Sequence, residues 1–237
     1  MAAQEKNAAG VEIKLFSSGS TAGALRELIP QFERATGHRV TVSNEPGKIM
    51  LERITRGDTG DVLLTGSTVI DELTQQGHVV AGSKRELARC GAGVAVRAGV
   101  PKPDISSVEA FKRALLDAKS VAHTTSGASG MHLMRVVERL GIAQQVKDKA
   151  RTQPGGLVGE ILARGEADLA VQQIPELLAV PGLDYVGPLP PELQITSIVS
   201  AAIFSRAAQP EAARALLQFL ATPAAARVLK ASGLDPL

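Results

Sequence analysis

LFSSGSTAGALRELIPQFERATG, from Leu15 to Gly37, is the stretch on which the fold turns. It reads as the end of a strand, a turn of small residues, and a helix. Ala24, Leu25, Leu28, Ile29 and Phe32 fall three and four apart, the spacing of one helix face, and Gly37 closes the helix. Pro30 lies inside this pattern and is expected to bend the helix or cost it a hydrogen bond. The turn places Ser17, Ser18, Gly19, Ser20 and Thr21 where the helix starts. Hydroxyls and unpaired N–H groups at such a point suit something small and negative.

The pattern repeats outward. VEIKLF (11–16) is a strand, and RVTVS after Gly37 is the next. Gly47–Arg56 is a helix, DVLLT (61–65) a strand, and Ser67–Gln76 a helix closed by Gly77. Three strand–helix units in a row imply right-handed crossovers and a mostly parallel sheet. Ala88–Arg97 then reads as a long strand, followed by the break GVPKPD. Ser106 with Glu109 three residues on fits a capping box at the next helix. SVAHT (120–124) is a strand, Ser126–Leu140 a helix, Gly156–Arg164 a helix and Ala167–Gln173 a strand. VPGLDYVGPLPPELQ, rich in proline, is expected to be a surface connection with short extended pieces. Ile195–Ser205 is a long strand, and Gln209–Ala221 and Pro223–Ser232 are closing helices. Two long strands bracketing a central block suit an α/β protein of two lobes, one formed by 1–90 plus 200–237 and the other by 91–199. A single doubly wound domain is the alternative on pattern alone.

Composition narrows the function. The chain has 237 residues, 44% hydrophobic and 21% charged, enough for a sizeable core. Aromatics are 3% with no Trp, which argues against stacking platforms for nucleic acid or sugars. The 26 Lys and Arg are interspersed with 24 Asp and Glu, so no nucleic-acid partner is expected. The lone Cys90 excludes an internal disulfide and, among small apolar neighbours, reads as buried filler. No apolar run approaches the roughly 20 residues of a membrane helix. The start MAAQEKNAAG reads as a loose tail, compatible with a secreted or a cytosolic protein.

Four turns could carry chemistry: FSSGST (16–21), SNEPGK (43–48), HTTSGASG (123–130) and TQPGGL (152–157). Each leads from a strand toward a helix start, where about half a positive charge attracts anions. One such turn is commonly just a helix cap; together they suggest a cleft for an anionic ligand. Candidate contacts in and beside them are Ser18, Ser20, Lys48, Thr65, Ser126, Ser129 and Leu157. GxSxG, GxGxxG and GxxxxGK[ST] are absent, and the four histidines lack metal-ligand spacing, so neither cofactor nor metal is expected. His38 and His78 sit in loops, whereas His123 and His132 flank the expected cleft and could hydrogen-bond or move a proton. Glu45 is the odd residue. It is either a solvated turn acid or a base acting on a neighbouring C–H bond.

These segments resemble the periplasmic molybdate-binding proteins of ABC importers and their wider solute-binding relatives. FSSGSTAGALRELIPQFERATGHRVTVS is similar to the family's first strand, serine turn and helix, with Ser20 as the matching serine. GEADLAVQQIPEL is similar to the strand and loop that close the cleft, with Gln172 and Gln173 on the ligand side. PEAARALLQFLATPAAARVLKASGLDPL is similar to the family's final helix pair. The resemblance implies the type 2 periplasmic-binding-protein fold, two α/β lobes joined by crossing hinge strands, a periplasmic monomer and a small anionic ligand. The second serine-rich turn of molybdate binders is replaced here by SNEPGKIM, which adds Glu45 and Lys48. That change suits an organic polycarboxylate, and aconitate isomerase is an enzyme on this scaffold. The expectation is therefore an isomerase interconverting cis- and trans-aconitate, with Glu45, His123 and His132 as proton-relay candidates. The alternative is a non-catalytic receptor handing an oxyanion or organic acid to an ABC permease.

Overall fold

The computed structural model describes residues 10–237; of the stretch read as a loose tail, residues 1–9 lie outside the described residues. The chain opens with β1 (Glu12–Ser17), a 3-10 turn (Gly19–Thr21), α1 (Ala22–Thr36), β2 (Arg39–Asn44), α2 (Gly47–Thr55), β3 (Val62–Gly66) and α3 (Ser67–Gln75). β1 pairs with β2 on one side and β3 on the other, both parallel, as successive right-handed crossovers require. The long β4 (Arg85–Arg97) leads to α4 (Val108–Asp117), β5 (Val121–Thr124), α5 (Ala128–Arg139), α6 (Ala143–Asp148), β6 (Ala150–Gln153), α7 (Gly159–Ala163), β7 (Leu169–Gln173), α8 (Ile174–Leu178) and β8 (Leu183–Pro188). Here β5 is flanked by β6 and β7, again parallel. β9 (Thr196–Ile203) returns the chain, and α9 (Pro210–Leu220), α10 (Pro223–Ala231) and β10 (Asp235–Pro236) finish it.

The strands lie in the order β2-β1-β3-β9-β4-β7-β5-β6. β4 and β9 stand in the middle and tie the halves together. The first part of β4, Arg85–Gly91, runs antiparallel to β9; its second part, from Ala92 onward, turns to β7 and β8. Buried apolar side chains divide at the same place. One pair of clusters draws on residues between Ile13 and Cys90 and between Val199 and Leu234. The other draws on residues between Ala92 and Leu193. The molecule is thus two α/β lobes sharing two crossing strands.

Some expectations need correcting. The parallel strands flank an antiparallel centre, because the chain must cross out and return. α1 continues through Pro30 without a break. The cap of α4 is Ser107, whose Oγ accepts from the Ala110 N–H at 3.2 Å, whereas the Ser106 N–H donates to Asp104 Oδ1. Within the proline-rich connection, Leu183–Pro188 forms a six-residue strand along β4. The helix after TQPGGL begins at Gly159, three residues later than expected. Cys90 is buried, and burial, reinforced by the charges of Glu176 and Asp235, pushes its thiol up to about 12.

Candidate functional site

The parallel strands form two sets of three, β1–β3 and β5–β7, which run in opposite directions because the antiparallel β9 and β4 stand between them. Their carboxyl ends, at Ser17, Asn44, Gly66, Thr124, Gln153 and Gln173, deliver the following turns to a single cleft between the lobes. The cleft measures about 480 Å³, within the usual range for a small-ligand site. Each of the four turns contributes lining residues: Ser18–Ser20, Asn44–Lys48, Thr124 with Ser126–Ala128, and Gly155–Gly156. The turn after β3, the crossing segment 195–199, Gln173 and Glu176 complete the wall.

The first turn is braced from within. Ser17 Oγ lies 2.6 Å from Thr21 Oγ1, which also donates to the Ser18 carbonyl at 2.9 Å. Ser18 Oγ and Ser20 Oγ are 3.1 Å apart on the cleft side. The longer helices that begin at the cleft have no side-chain cap: α2, α3 and α5 start after Pro46, Gly66 and Gly127. Elsewhere α4 and α10 are capped by Ser107 and Thr222, and α9 opens on Pro210. Pro and Gly at the cleft-side caps leave first-turn N–H groups without an internal acceptor, so an anion can take that place. Thr124 adds a further donor. Its Oγ1 is buried with no hydrogen-bond partner, although the residue lines the cleft.

Three charged residues line the cleft. Lys48 is exposed and, among the described residues, in no ion pair. Glu45 Oε1 accepts from Arg53 Nη1 at 2.9 Å. Arg53 also binds Asp58 at 2.8 Å and lies over the Phe16 ring, and these carboxylates, Asp58 foremost, raise the affinity of its guanidinium for its proton. Glu176 is surrounded by protein yet keeps part of its surface open to the cleft. Burial pushes its carboxyl up to about 7, against the opposing pull of hydrogen bonds from the Gln173 backbone and the Gln172 side chain.

Of the residues expected from sequence, Ser18, Ser20, Glu45, Lys48, Thr65, Ser126 and Gln173 line the cleft; Ser129, Leu157, Gln172, His123 and His132 do not. Ser129 is buried in the first turn of α5, and Leu157 follows the lining glycines. Gln172 is an internal brace, accepting from the Val158 N–H at 3.0 Å and donating to the Gly156 carbonyl at 2.7 Å. Side chains alternate along β5, and Thr124 rather than His123 reaches the cleft. The buried His123 Nδ1 donates to the Thr124 carbonyl at 3.0 Å. His132 Nε2 donates to the Leu193 carbonyl at 2.7 Å. Sequence reasoning missed Thr124 and Glu176. The available signal for Glu176 was the Pro175–Glu176 pair, a helix opening directly behind a strand that ends at the cleft.

A second cavity of about 470 Å³ lies in the first lobe between Val80, Phe204 and Leu217. Among the described residues Arg85 and Arg214 supply its only charges, and none of the four turns reaches it.

The family described as bacterial extracellular solute-binding protein matches residues 13–235. Among curated relatives, the aconitate isomerase of a Pseudomonas species is 40% identical over 231 residues, 95% of this chain and 88% of that protein. The molybdate-binding protein ModA of Azotobacter vinelandii is 26% identical over 236 residues, 95% of this chain and 90% of that one. The solved Azotobacter vinelandii periplasmic molybdate-binding protein superposes with a TM-score of 0.79 at 20% identity, covering 94% of this chain and 98% of its own. With its crossing strands and the match over nearly its whole length, this chain belongs to the bacterial extracellular solute-binding protein family.

Proposed function

We propose that this protein is an isomerase acting on a small polycarboxylate, with aconitate as substrate, and that it interconverts the cis and trans isomers by moving an allylic proton inside the cleft. The observation that carries the reading is the mixed character of the wall. Neutral donors for carboxylates, at Ser18, Ser20, Thr124 and the uncapped helix starts, stand beside the carboxylates Glu45 and Glu176. A site built only to hold an oxyanion gains nothing from negative charge on its wall. A site that must abstract a proton from carbon needs a base there. The 40% identity to an aconitate isomerase supports the same reading. Lys48 is the cation available to a substrate carboxylate, and Ser126 and Thr65 add hydroxyls. The lobes divide, in this proposal, into 1–90 with 200–237 and 91–199, and close over the substrate about the crossing strands. The protein works as a periplasmic monomer. Family membership supports that location, and no helix among the described residues is long and apolar enough to cross a membrane.

The likeness to molybdate-binding proteins favours a second reading, a receptor that passes an anion to an ABC permease. Incubation of the purified protein with cis-aconitate, followed by proton NMR, separates the two. Appearance of trans-aconitate at a rate proportional to enzyme is the expected result. Tight calorimetric binding of molybdate or sulfate, with no turnover of aconitate, would establish the receptor instead.

A further inference from the structure

We infer that Glu176 is the residue that carries the proton: its carboxylate takes a hydrogen from the substrate methylene and returns it to the far carbon of the allylic unit. This rests on the isomerase reading above. Glu45, the carboxylate the sequence singles out, already has its counter-ion in Arg53 at 2.9 Å. Glu176 has no cation within ion-pair distance among the described residues. It lines the cleft directly behind Gln173, at the start of α8. Its carboxylate fills space that the serine turn keeps free, since a Cβ on Gly19 would run into Glu176 Oε1. A glycine in the middle of that turn is what lets the acid stand against the ligand-binding hydroxyls.

Among the described residues the surroundings leave Glu176 without a counter-ion, and Asp235 on β10, whose charge also reaches Cys90, is exposed to solvent. On β4, Cys90 is the ionisable neighbour, and its thiol, held at about 12, stays neutral. The 3-10 turn offers Gly19 and Ser20, and β7 offers Gln172 and Gln173, none of them charged. Tyr185 on β8 is held protonated by its own burial. Arg26 and Glu27 on α1 are exposed to solvent. Across the cleft stand Glu45, neutralised by Arg53, and Lys48. A carboxyl held near 7 both accepts and gives back a proton at neutral pH, which a two-way transfer demands.

The step balances without oxidant, reductant or cofactor. The methylene C–H bond breaks as an O–H bond forms on Glu176, and the released electron pair makes the new carbon–carbon double bond. The electrons of the old double bond capture the proton at the other end of the allylic unit, and the carboxylate is restored. Charge that spreads onto the adjoining substrate carboxylate in between can be met by the unpartnered Thr124 hydroxyl and by Ser18 and Ser20.

Glu176 is also the third residue of α8, the position from which a capping-box carboxylate serves the Gln173 N–H. Glutamine serves that structural role equally well, so E176Q separates support from chemistry. With purified protein and cis-aconitate followed by NMR, E176Q is expected to lose at least ~100-fold in kcat. Its melting temperature should not fall, and calorimetric affinity for trans-aconitate should stay within about threefold. Wild-type kcat/KM is expected to decline below an apparent pKa near 7, a measurement that needs no variant. Wild-type-like turnover by folded E176Q, a flat wild-type profile between about pH 5 and 8, or loss of turnover in E45Q but not in E176Q would each overturn the assignment. Absence of any turnover in wild-type protein would instead overturn the isomerase reading and this assignment with it.

Discussion

Glu176 affects folding as well as chemistry. Its carboxyl rises from an ordinary 4.5 to about 7, so the folded chain holds this proton more tightly than the unfolded chain does. Stability from this group is therefore full below about 4.5, falls as pH climbs through the window to 7, and is level above it. One unit is worth about 1.4 kcal/mol, so the loss reaches at most ~3.5 kcal/mol. E176Q removes the penalty. Urea melts should show it more stable than wild type at pH 8 by up to that amount, and equal near pH 4; an equal gap at both values would rule out an ionisation cost. At this scale the sequence was half legible. Serines at a helix start announce themselves, because hydroxyl and turn chemistry are local. Glu176 does not, since its character comes from Gly19 and Cys90, which lie far off in sequence.

Among the elements, long periodic helices and short apolar strands were readable, for their burial is written in the spacing of their own residues. α1 shows Leu25, Leu28, Ile29 and Phe32 all buried on one side. What escaped reading was short or masked. α8 has five residues, too few for a helical period, with Pro175 at its opening. β8 hides between Pro181 and Pro188, and its partner is fixed by β4, not by anything local. The capping residue of α4 was misplaced by one position, because Ser106 and Ser107 are adjacent and only the backbone decides which reaches the Ala110 N–H. S107A should accordingly cost about 1 kcal/mol in chemical denaturation with kcat unchanged, whereas S106A should do much less. The reverse ranking would restore Ser106 as the cap.

At the level of the whole molecule, the crossing strands carry both rigidity and freedom. Where β4 changes partners, the side chain of Gln194 stands in for a neighbouring strand: its Oε1 accepts from the Ala92 N–H at 2.8 Å and its Nε2 donates to the Ala92 carbonyl at 2.9 Å. An amide side chain thus joins the strand pairing of Ala92 with Gln173 in securing the junction of the lobes. Beyond the hinge the lobes meet where α8 packs on the serine turn, at Glu176 and Gly19, and again at Gly155, where an added Cβ would strike the Pro46 ring. G155A should hinder closure, lowering kcat/KM several-fold with the melting temperature unchanged and reducing the compaction on adding trans-aconitate seen by small-angle scattering. Full activity in G155A would show that this contact plays no part in closing. A courier profits from gripping its cargo for a long time, but a workbench must be cleared after every job. Where the mouth meets, one proline ring against one bare backbone is a light latch, and lightness there bears on how often the bench can be reloaded.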